Sequence, residues 1–149
     1  MDKIFEVGTV INCLDGRVQI PVNNFLRENY GLDYIDTVTE AGPVKIIANN
    51  LKEIDSIIDR VKISIERNKS RLIAVAAHYD CRGNPASDHI QQKQLAAAFN
   101  VIQSWNFDVE YLGLWIDKNW QVKILHQLPR PGETLQLTEN EFDLKCAND

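Results

Sequence analysis

Residues 71–85 read Arg71-Leu-Ile-Ala-Val-Ala-Ala-His-Tyr-Asp-Cys-Arg-Gly-Asn-Pro85. The run from Leu72 to Ala77 is small or apolar throughout, which predicts a central strand buried on both faces. His78, Cys81, Gly83 and Pro85 crowd in where that strand ends, so two metal-compatible side chains stand at a strand terminus. The segment from Gly8 to Val18 is its counterpart: Thr9-Val-Ile-Asn12 reads as a second short strand and runs into Cys13-Leu-Asp-Gly-Arg17. Two strands thus deliver thiol chemistry at their carboxyl ends.

Outward from these strands the chain alternates. Val18, Val22, Phe25 and Leu26 form a helical stripe, with Pro21 tolerable only near the first turn and Gly31 as a stop. Tyr34–Val38 reads as a strand closed by a loop, Thr39-Glu-Ala-Gly-Pro43. Leu51, Ile54, Ile57, Ile58, Val61 and Ile65 mark a second helix. A third runs from Ser87 or Asp88, either of which can cap it, to Trp105, with Leu95, Phe99 and Ile102 facing inward. Val109–Ile116 is a fourth strand. The turn Asp117-Lys-Asn119 then leads to alternating Trp120, Val122 and Ile124, a fifth strand folding back antiparallel. From Pro129 to the end, residues 129–149, a loop or tail is expected.

Strand and helix in alternation imply an α/β fold: a mostly parallel four-stranded sheet of order 2-1-3-4, an added antiparallel fifth strand, and helices on both faces. With strands one and three adjacent, their crossover helices lie on opposite faces. Ligands of open α/β sheets bind at such a switch point, by the carboxyl ends of the strands. Cys13, His78 and Cys81 fall there.

The 149 residues, 44% hydrophobic, suit one domain over 1–149, with no linker, repeat or low-complexity tract. No run approaches the ~18 to 20 apolar residues of a membrane span, and Met1-Asp-Lys-Ile-Phe-Glu6 lacks a secretory apolar core. A cytoplasmic protein without a membrane partner is expected. A net charge of -5 and a pI near 5.2, with scattered basic residues, argue against nucleic acid. Three cysteines disfavour a disulfide framework in a reducing compartment and leave metal binding or catalysis for Cys13 and Cys81. Cys146, in a polar tail, is a bystander.

Cys13, His78 and Cys81 form a Cys2His set that suits zinc, and three protein ligands leave a fourth position for water. Singly, each has a blander reading: a hydrogen-bonded strand-end histidine, or a small buried cysteine. Asp15 and Arg17 follow Cys13 by two and four residues, and alternation along an extended segment would send both side chains the way of the thiol. A carboxylate held by an arginine could then stand beside a metal; the alternative is a surface ion pair or an Asp-Gly turn. Asp80 reads as a turn residue without a catalytic role.

Cys13-x-Asp15-x-Arg17 together with His78-x-x-Cys81 resembles the zinc signature of the β-class carbonic anhydrases. Arg17-Val18 before Pro21, Ala41-Gly42 after strand two, and Gly83 after the second cysteine extend the resemblance over roughly residues 8 to 125. It implies Cys13, His78 and Cys81 as ligands of Zn2+, Asp15 and Arg17 as the catalytic dyad, and a lyase that hydrates carbon dioxide to bicarbonate. Hydrolysis of carbonyl sulfide or carbon disulfide, or a non-catalytic zinc protein of the same fold, are the alternatives. A homodimer or higher homo-oligomer is also implied. Trp105, Phe107, Tyr111, Trp115 and Trp120 cluster around strand four, either covering an edge between copies or filling the core. The chain departs from the family in three places. It shows no long helical arm before strand one, Thr39-Glu-Ala-Gly-Pro43 lacks the family's Arg-Asn and Asn around Ala-Gly, and Arg82-Gly83 replaces a glycine pair.

Overall fold

The computed structural model describes residues 4–133; Cys146 and most of the expected tail lie outside the described residues. The elements in chain order are β1 (Val7–Cys13), a 3-10 turn (Gly16–Val18), α1 (Gln19–Tyr30), β2 (Tyr34–Glu40), α2 (Pro43–Ala48), α3 (Ile54–Arg67), β3 (Leu72–His78), α4 (Asp88–Ser104), β4 (Glu110–Ile116) and β5 (Val122–Leu128). One sheet results, in the order β2-β1-β3-β4-β5. Its first four strands are parallel and β5 is antiparallel to β4. This is the expected fold class and strand order.

The period-2 alternation of β3 divides the core. Leu72, Ala74 and Ala76 pack with Val10, Leu112 and Leu114 under the α1 stripe of Val22, Leu26 and Tyr30. Ile73, Val75 and Ala77 join Ile11 and Val38 beneath Val44 and Ile47 of α2, Ile57 and Val61 of α3, and Leu95 and Ile102 of α4. Each fully buried aliphatic side chain contributes about 1.5–3 kcal/mol, so both layers are held mainly by apolar burial. Small residues on β3 let helices approach from either side.

Several expectations need correction. Strand β2 runs on to Glu40, and the stretch expected to be loop ends by opening an unforeseen helix: Gly42, at φ +67°, turns the chain and Pro43 starts α2. Proline suits a first helical position because its missing N–H would have no partner there. Leu51 precedes α3 instead of belonging to it; its N–H donates to the Ile46 carbonyl at 3.0 Å and closes α2. Trp120 sits in the hairpin turn at φ +60°, and β5 begins only at Val122. Of the two readings of the aromatic cluster around β4, core holds for four residues: Tyr111 and Trp115 are buried, with Trp105 and Phe107 packed against their layer, while Trp120 packs on the opposite layer. The reason is that β5 already covers that edge. No helix among the described residues is long and apolar enough to cross a membrane.

One asymmetry of the sheet positions the site. β1 and β2 pair over seven positions, as do β3 and β4, but β1 and β3 pair only from Thr9↔Ile73 to Ile11↔Val75. At the carboxyl end of that short seam the ladder stops before either strand does, and Cys13 and His78 stand there as the last residues of their strands.

Candidate metal centre

Where the ladder stops, a side chain takes over its hydrogen bonding. Asn12 is 1% exposed; its Oδ1 accepts from the N–H of Cys13 at 2.9 Å, and its Nδ2 donates to the Val18 carbonyl at 3.5 Å. This fixes the backbone that presents the Cys13 thiol. The Cys13 and Cys81 sulfurs stand 3.8 Å apart. His78 closes the triangle: one ligand atom from each of the three residues lies within 4.8 Å of the others.

The tautomer of His78 follows from its neighbour. Nδ1 lies 2.7 Å from the Tyr79 carbonyl oxygen, which can only accept, so Nδ1 carries the proton. Nε2 is then a bare lone pair, and it is buried without a hydrogen-bond partner. A buried orphan nitrogen costs free energy unless something fills it. Holding one imidazole nitrogen through a backbone carbonyl is how metal-binding histidines are oriented.

The donor set fits a soft-to-borderline divalent ion. Two sulfurs at about 2.3 Å from a tetrahedral zinc would be separated by about 3.8 Å, which is the spacing of Cys13 and Cys81. All three residues are nearly excluded from solvent, at 3%, 1% and 4% exposure for Cys13, His78 and Cys81. Among the described residues both cysteines are free thiols.

Charge is divided unevenly between the two sulfurs. Cys13 is held well below the ordinary thiol range, chiefly by the hydrogen bond from Cys81 and against its burial; His78 and backbone N–H groups of Gly42 and Asp15 assist. Cys81 is pushed up by that same bond, by burial and by the charge on Cys13. Of the pair, Cys13 thus gives up its proton the more readily and Cys81 keeps its own. Burial alone would lower the His78 imidazole, but the Cys13 thiolate and the Tyr79 carbonyl outweigh it and its pKa is raised.

Two glycines bring the amide groups within reach of sulfur. A Cβ on Gly42 would meet the Asn84 Cβ at 2.6 Å, and one on Gly83 would meet Ala41 at 2.7 Å. The loop after β2 therefore lies directly on the loop after β3. Their N–H groups serve Cys13 from Gly42, and Cys81 from Gly83 and Asn84.

Asp15 and Arg17 are brought together, though not by strand alternation. The strand ends at Cys13, and Asp15 caps the 3-10 turn by accepting the N–H of Arg17 at 2.9 Å on Oδ1. The guanidinium then closes back on the same carboxylate: Nη2 donates to Oδ2 at 2.7 Å, and Nε to both oxygens at 3.1 and 3.2 Å. Gln19 secures the turn through the carbonyls of Cys13 at 2.7 Å and Asp15 at 2.9 Å. The Arg17 hydrogen bond is the main cause that lowers the Asp15 carboxyl to about 2.

The sequence reading missed two neighbours of that pair. Arg17 Nη1 donates to Asp80 Oδ2 at 3.2 Å and Nη2 to the Asp80 carbonyl at 3.0 Å. Arg17 Cζ lies 4.6 Å from the centre of the Trp120 ring, and the His78 ring lies 6.4 Å from the same ring. The only sequence signal for them is the carboxylate of Asp80 between His78 and Cys81; nothing in the sequence directs Trp120 to this site.

A protein-family model described as "Putative carbonic anhydrase" matches residues 1–126. No curated protein sequence matches the chain. Among solved structures, a tetrameric β-carbonic anhydrase from the filamentous ascomycete Sordaria macrospora aligns with a TM-score of 0.57 at 13% identity, covering 85% of this chain and 84% of that one. A Coccomyxa β-carbonic anhydrase in complex with acetazolamide aligns with a TM-score of 0.57 at 14% identity, covering 98% and 83%. At such identities the likeness establishes a shared fold.

Proposed function

The chain belongs to this carbonic anhydrase family, and on that premise we propose that it is a lyase hydrating carbon dioxide to bicarbonate at a zinc centre held by Cys13, His78 and Cys81. The observation that carries the reading is the bare, buried Nε2 of His78 gathered with two thiols within 4.8 Å. When bound, zinc would supply the Lewis acidity that makes water a usable nucleophile at moderate pH.

The chain's own residues then have separate tasks. The Asp15 carboxylate, ionised and held by Arg17, can only accept hydrogen bonds. It would orient an entering water by taking one of its protons in a hydrogen bond, turning a lone pair toward the substrate. Arg17 would hold that carboxylate in place through paired donors. Burial of all three ligand residues favours a small, uncharged substrate. A non-catalytic zinc site has no use for an arginine-held carboxylate, so Asp15 and Arg17 favour catalysis. The free thiols suit a reducing, cytoplasmic setting, and the tetrameric fungal neighbour supports a homodimer or larger homo-oligomer here.

Stopped-flow hydration of carbon dioxide by zinc-loaded protein from about pH 6.5 to 9 tests the reading. Hydrolysis of carbonyl sulfide and carbon disulfide, measured on the same sample, would reveal a related substrate. If all three rates match the buffer blank, catalysis at this centre is refuted for these substrates.

A further inference from the structure

Arg17 is the part of the site that ought to be loose. Its side chain is 38% exposed, and its carboxylate partner Asp15 is only two residues away in the same turn. An exposed ion pair of this kind contributes little while ordering a long, rotamer-rich side chain. Asp15 alone would leave the guanidinium free to swing out, and Asp15 would swing with it.

Two residues from other loops prevent this. Asp15 occupies the Nε and Nη2 edge, and Asp80 takes Nη1 with its carboxylate and Nη2 with its carbonyl. The indole of Trp120 lies under the flat face, an arrangement in which arginine and aromatic rings attract. Arg17 is therefore gripped on two edges and one face by residues from three segments.

The backbone at both helpers breaks a local rule. Asp80 has φ +54° and Trp120 φ +60°, a region costly for residues with a Cβ and unusual for a bulky one. The hairpin does not need tryptophan there. Asp117 already completes the turn: its carbonyl accepts the Trp120 N–H at 2.9 Å, and its Oδ1 accepts from Asn119 at 2.8 Å and Gln121 at 3.0 Å. Glycine or asparagine would adopt this φ with less strain. What the strained conformation gains is the placing of the ring between Arg17 and His78.

We propose that Asp80 and Trp120 are positioning residues that immobilise Arg17, and through it keep the Asp15 carboxylate from joining Cys13, His78 and Cys81 as a further metal ligand. The proposal rests on the reading of the site as an open metal centre. It concerns two residues outside the ligand set and outside the Asp15-Arg17 pair.

The test uses full-length protein loaded with cobalt(II), whose visible spectrum reports the number and kind of its ligands, and thiocyanate as a probe for an exchangeable position. Asp80→Asn keeps the carbonyl and tolerates the positive φ, removing only the charge. Trp120→Leu keeps apolar contact and removes the ring face, whereas Trp120→Phe retains a ring. At equal cobalt occupancy, Asp80→Asn and Trp120→Leu should shift the spectrum and weaken thiocyanate binding about tenfold or more, and Trp120→Phe should stay near the parent. Parent-like spectra and thiocyanate affinity in both variants, with only the melting temperature lowered, would reduce Asp80 and Trp120 to packing and overturn the proposal. A parent protein that takes up no cobalt, or whose cobalt ignores thiocyanate, would instead overturn the open-centre reading and this proposal with it.

Discussion

Gly83 and Ala41 meet backbone to backbone: a Cβ on Gly83 would come 2.7 Å from the Ala41 carbonyl carbon and 2.9 Å from its Cα. The loop carrying Cys81 therefore rests on the loop whose Gly42 amide serves Cys13. Gly83→Ala should force these loops apart, because no flexible side chain is there to yield. We expect a stability loss of about 1–3 kcal/mol in urea unfolding, together with faster metal loss to a chelator. Parent-like values in both measurements would show that the loops slide without consequence.

Cys81→Ser should remove the metal, and Cys146→Ser should not. Serine replaces a thiolate by a hydroxyl that stays protonated and is a poor zinc ligand, whereas Cys13, His78 and Cys81 already supply three donors without Cys146. Elemental analysis should find about one zinc per chain in the parent and in Cys146→Ser, and far less in Cys81→Ser. Full zinc in the latter would mean that other residues hold the ion.

Arg17→Ala separates binding from turnover. Cys13, His78 and Cys81 are untouched, so zinc content should be retained, but Asp15 loses the guanidinium donors to both its oxygens and keeps only the backbone N–H of residue 17 on Oδ1. The hydration rate should fall about 10²-fold or more. A variant with the parent's kcat would remove the pair from the mechanism.

Glu110 gives a stability prediction remote from the centre. It is 5% exposed at the start of β4, and burial pushes its carboxyl up, with Arg71 opposing. A folded-state pKa above the unfolded one means stability that is fully present below the ordinary carboxyl value of about 4.3 and is lost as pH rises through the raised one. Glu110→Gln should therefore melt higher than the parent at pH near 7, with the gap narrowing on acidification. A gap that widens toward low pH would reverse the assigned sign.

The apolar run Leu72–Ala77 was legible because a strand covered on both faces leaves no choice of residue type, and His78 and Cys81 follow it at once. The gathering of Cys13, His78 and Cys81 came with it, since strand order alone brings Cys13 opposite. What stayed hidden lies in backbone conformation. Helix α2 is only six residues long, too short to display a period, and its proline read as loop. The Asp15-Arg17 pair was found for the wrong reason, because the 3-10 turn that joins them has no apolar signature. Asp80 and Trp120 reach Arg17 through left-handed backbone turns, which propensity assigns to glycine and asparagine and so does not foresee.

The short seam between β1 and β3 also has a meaning for how the molecule opens. Three paired positions there, against seven on either side, make this the shortest ladder of the sheet, and we expect β2-β1 and β3-β4-β5 to part there as two units in native-state amide exchange. Cys13 belongs to the first unit, His78 and Cys81 to the second. An ion shared among them would weld the units together, adding RT ln(1 + [L]/Kd) to the free energy of parting them. Amide exchange should then slow along the seam on metal loading while the fraying of exposed loops stays unchanged.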